Sequence, residues 1–346
     1  MGFIMRNWWK LAVAFIVAGA ILFLAGWTMG ARGGSVYADK SGLHVVQPDG
    51  YTNFTIDEQN LQPFNNVNIS AYSPSIEFVP SDHYGLQACL PTAAGAPEWS
   101  DANGTLTVNA KSDEFTLNLF GFVNEPTDYV KVYYPASAGF TGLTLETASG
   151  DISVPKITVG DFSAASVSGS INAEVEGFTT ASVSSSSGDV TFNGSGNSAG
   201  LKVKTVSGGI KAGLNGCTQA DVSSGSGDIT LTGGEGTALT IESSSGYITA
   251  QNIKSSALTA QTVSGNVNIT GDMRGQTSAK STSGDVSLAA AGSADQYSYD
   301  LTSISGDITV DGQRMGSPAR PAAGAPAENT ILANTDSGNI RLDFNR

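Results

Sequence analysis

The sequence predicts an all-β fold, a β-helix or β-solenoid with rungs about 19 residues long, preceded by one N-terminal transmembrane helix. Three observations predict it. A six-residue pattern (Ser or Thr, any residue, Ser, Gly, any residue, Ile or Val) recurs ten times, with glycines at Gly150, Gly169, Gly188, Gly208, Gly227, Gly246, Gly265, Gly284, Gly306 and Gly338. The intervals between them are 19, 19, 20, 19, 19, 19, 19, 22 and 32 residues. Apolar residues stand two apart on both sides of each glycine, and residues 11–31 form a stretch of 21 without a charge.

The spacing around the glycines separates strand from helix. Around Gly208 the apolar positions are Leu201 and Val203 before it, then Ile210 and Ala212 after it; around Gly227 they are Ala220, Val222, Ile229 and Leu231. Apolar residues at period two describe strands with one buried face. Each repeat therefore holds a strand, a two-residue corner at the glycine and a second strand, with a more variable third side completing the turn. Glycine suits such a corner because it accepts positive φ. The residue after it is Asp151, Ser170, Asp189, Gly209, Asp228, Tyr247, Asn266, Asp285, Asp307 or Asn339, and all but the tyrosine are turn formers. A Gly-Asp pair also suits a hairpin, in which the two strands would pair with each other. Coiling is the better account, because it alone explains why every position is matched from one copy to the next.

Three residues before each glycine stands Ser or Thr, from Thr147 to Thr335, and one before it always Ser. By parity both columns point inward, where hydroxyls are tolerable only if hydrogen-bonded. A single rung buries too few side chains to offset the ordering of its chain, so stability must come from stacking. Rungs rise about 4.8 Å, so ten of them span roughly 45–50 Å. No proline occurs between Pro155 and Pro318, as strands that donate every ladder bond require.

The chain divides in order. Residues 1–10 are a short cytoplasmic N-terminus, 11–31 a transmembrane anchor, and 32–43 a linker. Arg6 and Lys10 precede the apolar stretch, and Trp8, Trp9 and Trp27 lie near its ends, where indoles favour the membrane interface. The expected protein is single-pass in the cell membrane, N-terminus cytoplasmic and C-terminal body extracytoplasmic. A cleaved signal peptide is the alternative, with Val36-Tyr37-Ala38 supplying small residues at the cleavage offsets. Residues 44–142 form irregular β leading coils or a cap, with strands expected at 54–56, 67–71, 76–79, 86–90, 105–110, 115–120 and 129–134. Residues 143–346 are the regular repeats, interrupted at 311–330 by an Ala-, Pro- and Gly-rich insertion loop.

The net charge is −14; residues 1–40 hold four bases and one acid, which leaves 13 bases and 30 acids in the remainder. That balance excludes nucleic acid as a partner. The remaining partners are the membrane, through the N-terminal helix, and an unidentified surface glycan or protein ligand.

Thr147-Ala148-Ser149-Gly150-Asp151-Ile152-Ser153-Val154, Ser224-Gly225-Ser226-Gly227-Asp228-Ile229-Thr230-Leu231 and Ser281-Thr282-Ser283-Gly284-Asp285-Val286-Ser287-Leu288 resemble a bacterial family of putative adhesins, also described as a β-strand-repeat domain of unknown function. Tyr129-Val130-Lys131-Val132-Tyr133-Tyr134-Pro135 is similar to the strand and proline that open the repeats in that family. The resemblance covers roughly residues 44–346. It implies a β-helix at the cell surface, often behind one membrane anchor, and brings no catalytic residues with it.

The chemistry-bearing residues are few. The histidines are His44 and His83 and the cysteines Cys89 and Cys217, without zinc-type spacing. An exported protein could pair the two cysteines, which lie 128 residues apart. Gly196-Asn197-Ser198-Ala199-Gly200 matches a nucleophile elbow, but a loop between repeats lacks the strand-to-helix setting that motif needs. Asp151, Asp189, Asp228, Asp285 and Asp307 form a broken acidic column; corner chemistry explains it, and calcium is the sharper alternative. No catalytic, cofactor-binding or metal residue is assigned. The sequence thus reads as a non-enzymatic, membrane-anchored β-solenoid acting as an adhesin, envelope scaffold or binding module. A polysaccharide-active β-helix enzyme and an extracytoplasmic sensor module of an envelope-stress system are the alternatives.

Overall fold

The computed structural model describes residues 35–39, 42–46, 53–91, 97–110, 128–198, 200–236, 238–321 and 328–345. The expected membrane anchor and the strand expected at 115–120 lie outside them, and among the described residues no helix is long and apolar enough to cross a membrane. The chain forms two compact units. One comprises Met1–Asn53, Pro91–Gly95 and Ser112–Pro126 and contains an antiparallel pair, Ser35–Asp39 with Gly42–Val46. The other, Phe54–Leu90, Ala96–Lys111 and Thr127–Arg346, is the solenoid.

Within the solenoid each strand pairs in parallel with its counterpart one repeat away. Gly200–Thr205 pairs with Gln219–Ser224 through Leu201↔Ala220 and Val203↔Val222, and beyond the corner Ile210 pairs with Ile229 and Ala212 with Leu231. The hairpin alternative is thereby excluded: the residues on the two sides of a corner pair with the neighbouring rungs and not with each other. The inward positions fill one continuous core, with Val203, Val222, Ile229 and Leu231 fully buried. Third sides are shorter or bulged, as between Val154 and Ile157 in the long strand Ile152–Ser166.

The core changes character along the stack. Phe78, Tyr134 and Phe140 cluster near one end with ring centroids 5.6–6.2 Å apart, and Tyr297, Tyr299 and Phe344 near the other at 5.4–6.2 Å. The rungs around Gly208 to Gly265 hold Leu, Ile, Val and Ala, with Cys217 and Met273. Broad rings cover the last layers, where no further rung lies on top.

At both ends the rungs stack out of sequence order. Asn329–Thr335 lies between Val267–Ser281 and Tyr297–Ser303, pairing with both. Ile340–Asn345 likewise lies between Val286–Ala291 and Ile308–Val310. The last rung in sequence is therefore second to last in space. The other end mirrors it: Asn66–Ala71 sits between Thr105–Ala110 and Gly139–Thr147, and Ser75–Ser81 pairs with both Tyr129–Pro135 and the start of Ile152–Ser166.

An outermost rung exposes unpaired backbone groups that would template aggregation. Short antiparallel strands cover them. Glu98–Ala102 pairs with Thr105–Ala110, and Gly85–Pro91 with Tyr129–Pro135. At the other end residues 311–319 do this work. Asp311 and Gly312, both at positive φ, turn the chain so that Gln313–Met315 pairs back on Ile308–Val310. Ala319 then exchanges backbone hydrogen bonds of 2.9 and 3.0 Å with Leu301 and is buried. Pro318 and Pro321 flank it and leave the cover without a full set of outward donors.

Candidate functional site

The invariant polar residues of the repeat hold neighbouring rungs together. The hydroxyl three residues before each glycine is buried in all ten copies. Ser224 Oγ donates to the Gly208 carbonyl, one rung away, at 3.1 Å and accepts from the N–H of its own Gly227 at 2.9 Å. Ser166, Ser185 and Thr205 repeat the pair of bonds with Gly150, Gly169 and Gly188 as acceptors. At the reordered end Thr335 donates to Gly284 and Ser303 to Gly338, at 2.9 and 2.8 Å.

The glycines form a file down one edge, in the spatial order Gly284, Gly338, Gly306 at its end. Their role differs from the expected one. None of the ten has positive φ; instead a Cβ on any of them would overlap a backbone carbonyl of the adjoining rung, Pro74 in the case of Gly150. Close approach, not handedness, demands glycine here. The serines one residue before the glycines also differ from expectation: Ser168, Ser207, Ser226 and their counterparts are exposed, because the corner breaks the strand's alternation.

The acidic column is structural at the corner too. Asp151 Oδ1 accepts the Ser170 N–H at 2.7 Å, Asp189 that of Gly209 at 2.8 Å, Asp228 that of Tyr247 at 2.8 Å and Asp285 that of Asn339 at 2.7 Å. Asn266 and Asn339 do the same for Asp285 and Asp307, both at 2.9 Å. Among the described residues no three His, Cys, Asp or Glu side chains converge as metal ligands would.

Beside those exposed serines, the residue two before each glycine also faces outward on this edge. That crest carries half of the large exposed apolar side chains among the described residues: Val167, Val206 and Val263 are 54–55% exposed and Ile304 is 75% exposed. Tyr72 holds the equivalent place on the rung whose Pro74 stands where the others have glycine. Between Val206 and Val263 the crest drops to Gly225 and Ser244, and a groove of 520 Å³ opens there. Its second wall is the row four before the glycines, Lys204, Ser223, Glu242, Gln261 and Lys280, aligned rung to rung by the strand register. Gln261 donates to Glu242 at 2.5 Å in its middle.

The charges of this wall are unusual for the molecule. Every described arginine sits on an aspartate: Arg274 on Asp272, Arg314 on Asp307, Arg320 on Asp300 and Arg341 on Asp343. Lys131 pairs with Glu77 at 3.1 Å and Lys156 with Glu176 at 2.7 Å. Lys202, Lys204, Lys211 and Lys280 have no acidic partner among the described residues, and two of these four line the groove.

The other chemistry-bearing residues do not assemble. His83 Nδ1 faces both Asp82, at 2.7 Å, and Ser81, at 3.0 Å; one ring nitrogen serves both, so no serine-to-aspartate relay passes through the ring. The histidine's hydrogen bond holds the Asp82 carboxyl below its usual range. No disulfide joins Cys89 and Cys217, and burial pushes the Cys89 thiol up. Gly196, Asn197 and Ser198 end the strand Val190–Ser198 and are followed by another strand, Gly200–Thr205, without the helix a nucleophile elbow requires. The groove is lined by the columns two and four before the glycine, which the sequence reading left aside. Neither column is apolar or uniform in chemistry, so spacing alone does not single them out.

A family model described as Toastrack DUF4097 matches residues 65–214 and, overlapping that, 178–343. No curated protein matches the chain. Among solved structures, a "putative adhesin" of Bacteroides fragilis NCTC 9343 is 14% identical, with 84% of this chain and 97% of that one covered at a TM-score of 0.36. A "putative lipid binding protein" of Parabacteroides distasonis ATCC 8503 is 13% identical, covering 86% and 97% at 0.36. A "putative cell adhesion protein" of Clostridium sporogenes ATCC 15579 is 10% identical, covering 85% and 100% at 0.20.

Proposed function

The chain belongs to the Toastrack DUF4097 family, and from that premise we propose that it is a non-enzymatic binding module displayed outside a cell membrane, taking its ligand in the groove between Val206 and Val263. One observation carries the reading. The hydroxyls, glycines and acids that recur in the repeat are engaged in joining rungs, whereas the crest and the lysine-bearing wall are exposed and bond little within the molecule. Open, extended surfaces on stacked repeats suit long ligands, which contact several rungs at once.

Residues 11–31 supply the anchor in this proposal. Their length suits one crossing, and Arg6 and Lys10 favour a cytoplasmic N-terminus, which puts the acidic solenoid outside.

The test uses the full chain in mild detergent against a glycan array and a panel of surface proteins, alongside a polysaccharide-lysis assay. Binding without turnover, abolished by Ser244→Trp, is the expected result, since an indole there fills the dip in the crest. Turnover of any polysaccharide overturns the non-enzymatic reading. Binding that ignores Ser244→Trp moves the site elsewhere.

A further inference from the structure

We propose that the groove takes an extended glycan bearing uronic-acid carboxylates, held at its two ends by Lys204 and Lys280. The inference rests on the reading of this groove as the binding site and adds the ligand's chemistry.

Four steps of strand register separate the two lysines, Lys204↔Ser223, Ser223↔Glu242, Glu242↔Gln261 and Gln261↔Lys280, a span of roughly 19 Å at the spacing of stacked strands. Acids outnumber bases 31 to 17 in this chain, yet among the described residues neither lysine is paired with one. Two unclaimed ammonium groups on one wall of a groove are an attraction for external anions. The rest of the body repels long-range approach, but beyond about 8 Å that repulsion is screened at physiological salt, while the contacts inside the groove are not.

The spacing of charge selects among anions. Glu242 stands midway between the lysines, so a chain with a charge at every step, such as nucleic acid or polyphosphate, meets repulsion there. A chain whose carboxylates are separated by neutral units does not. Between the lysines the wall offers Ser223 and Gln261, and the crest offers Ser244 and Thr282. Hydroxyl and amide groups in that number match a ligand rich in hydroxyls. Val206 and Val263 present small apolar surfaces suited to the C–H faces of sugar rings.

An acidic peptide is the competing occupant, and the backbone argues against it. Peptides gain affinity on β-sheets by adding a strand to an open edge. The strands along the groove, Gly200–Thr205, Gln219–Ser224 and Ala238–Ser243, are each paired on both sides and have no edge to offer. Recognition must then run through side chains alone, which favours the glycan.

The experiment is calorimetric titration of the full chain with a hyaluronan oligosaccharide, the same oligosaccharide with its carboxyls reduced to alcohols, and polyglutamate of similar length. The first should bind and the second should bind about tenfold more weakly. Lys204→Glu and Lys280→Glu should each weaken hyaluronan several-fold and together about tenfold or more. Lys211→Glu, an unpaired lysine on the same rung beyond the corner, should leave binding within about twofold. Equal binding of the reduced form, tighter binding of polyglutamate, or equal damage from Lys211→Glu overturns the proposal. If a neutral glycan binds instead and Ser244→Trp blocks it, the groove stands as the site and only the uronate chemistry falls. If no glycan is sensitive to Ser244→Trp, both fall.

Discussion

Ser224 illustrates what a single recurring residue does in this fold. Its hydroxyl satisfies a carbonyl on one rung and an N–H on its own, both at a buried corner. Ser224→Ala therefore leaves two backbone groups unpaired and should cost about 1–3 kcal/mol. Ser226→Ala, two residues on at an exposed position, should cost less than about 0.5 kcal/mol. Urea unfolding of the two variants measures the difference, and equal losses would contradict the assigned bonds. Ser224→Thr should be tolerated, since Thr205 and Thr262 already occupy the same column. Tyr134 gives the opposite sign. Among the described residues its buried hydroxyl has no hydrogen-bond partner, and it lies beside Phe78 and Phe140. Tyr134→Phe should therefore stabilise the protein by about 1 kcal/mol at neutral pH. Burial also raises the phenol's pKa above its ordinary value. The unfolded chain then loses that proton first, so the wild type loses stability as pH climbs from about 10 toward the folded pKa. Thermal unfolding at rising pH should show a gap between Tyr134→Phe and wild type that widens on the alkaline side.

At the scale of the rung, the corner was legible because like meets like. A parallel ladder sets each residue beside its own counterpart, so glycine meets glycine and hydroxyl meets glycine carbonyl from rung to rung, until Pro74 takes the glycine's place beside Gly150 and Thr147. That repetition made the strands, their faces and the file of glycines readable from spacing. Two details were not. Parity assigned the serine before each glycine to the interior, but the corner shifts the alternation, and only backbone geometry reveals that. Positive φ was the expected reason for glycine, whereas the cause is the neighbouring carbonyl, a contact between rungs that a single repeat cannot display. The groove followed from size rather than pattern: a glycine and a serine stand where neighbouring crests carry valine. Such variation within a column looks like noise until the column is known to be exposed.

The order of the outer rungs belongs to the whole molecule, and the repeat itself says nothing of it. Any copy offers the same ladder to any other, so register alone cannot tell neighbour from next neighbour. The irregular last intervals, 22 and 32 residues, were the available signal, since the extra chain is what lets the last rung pass beneath the one before it. The consequence for stability is specific. In a stack each layer is held mainly by the layers it touches. Residues 329–345 are touched on both sides, by the 267–291 strands and by the 297–310 rung. Removing residues 328–346 therefore does more than shorten the stack: it takes from the 297–310 rung the layer on which it rests. Hydrogen exchange on the truncated chain should show lost protection across Tyr297–Ser303 and Ile308–Val310, although those residues are intact. Protection at Gln219–Ser224 and Ile210–Cys217, several rungs away, should persist. A rung that instead docks directly onto Val267–Ser281, keeping its protection, would mean that the two terminal rungs are interchangeable. Uniform loss along the stack would mean that the solenoid unfolds as one cooperative unit and that nearest-neighbour coupling does not describe it.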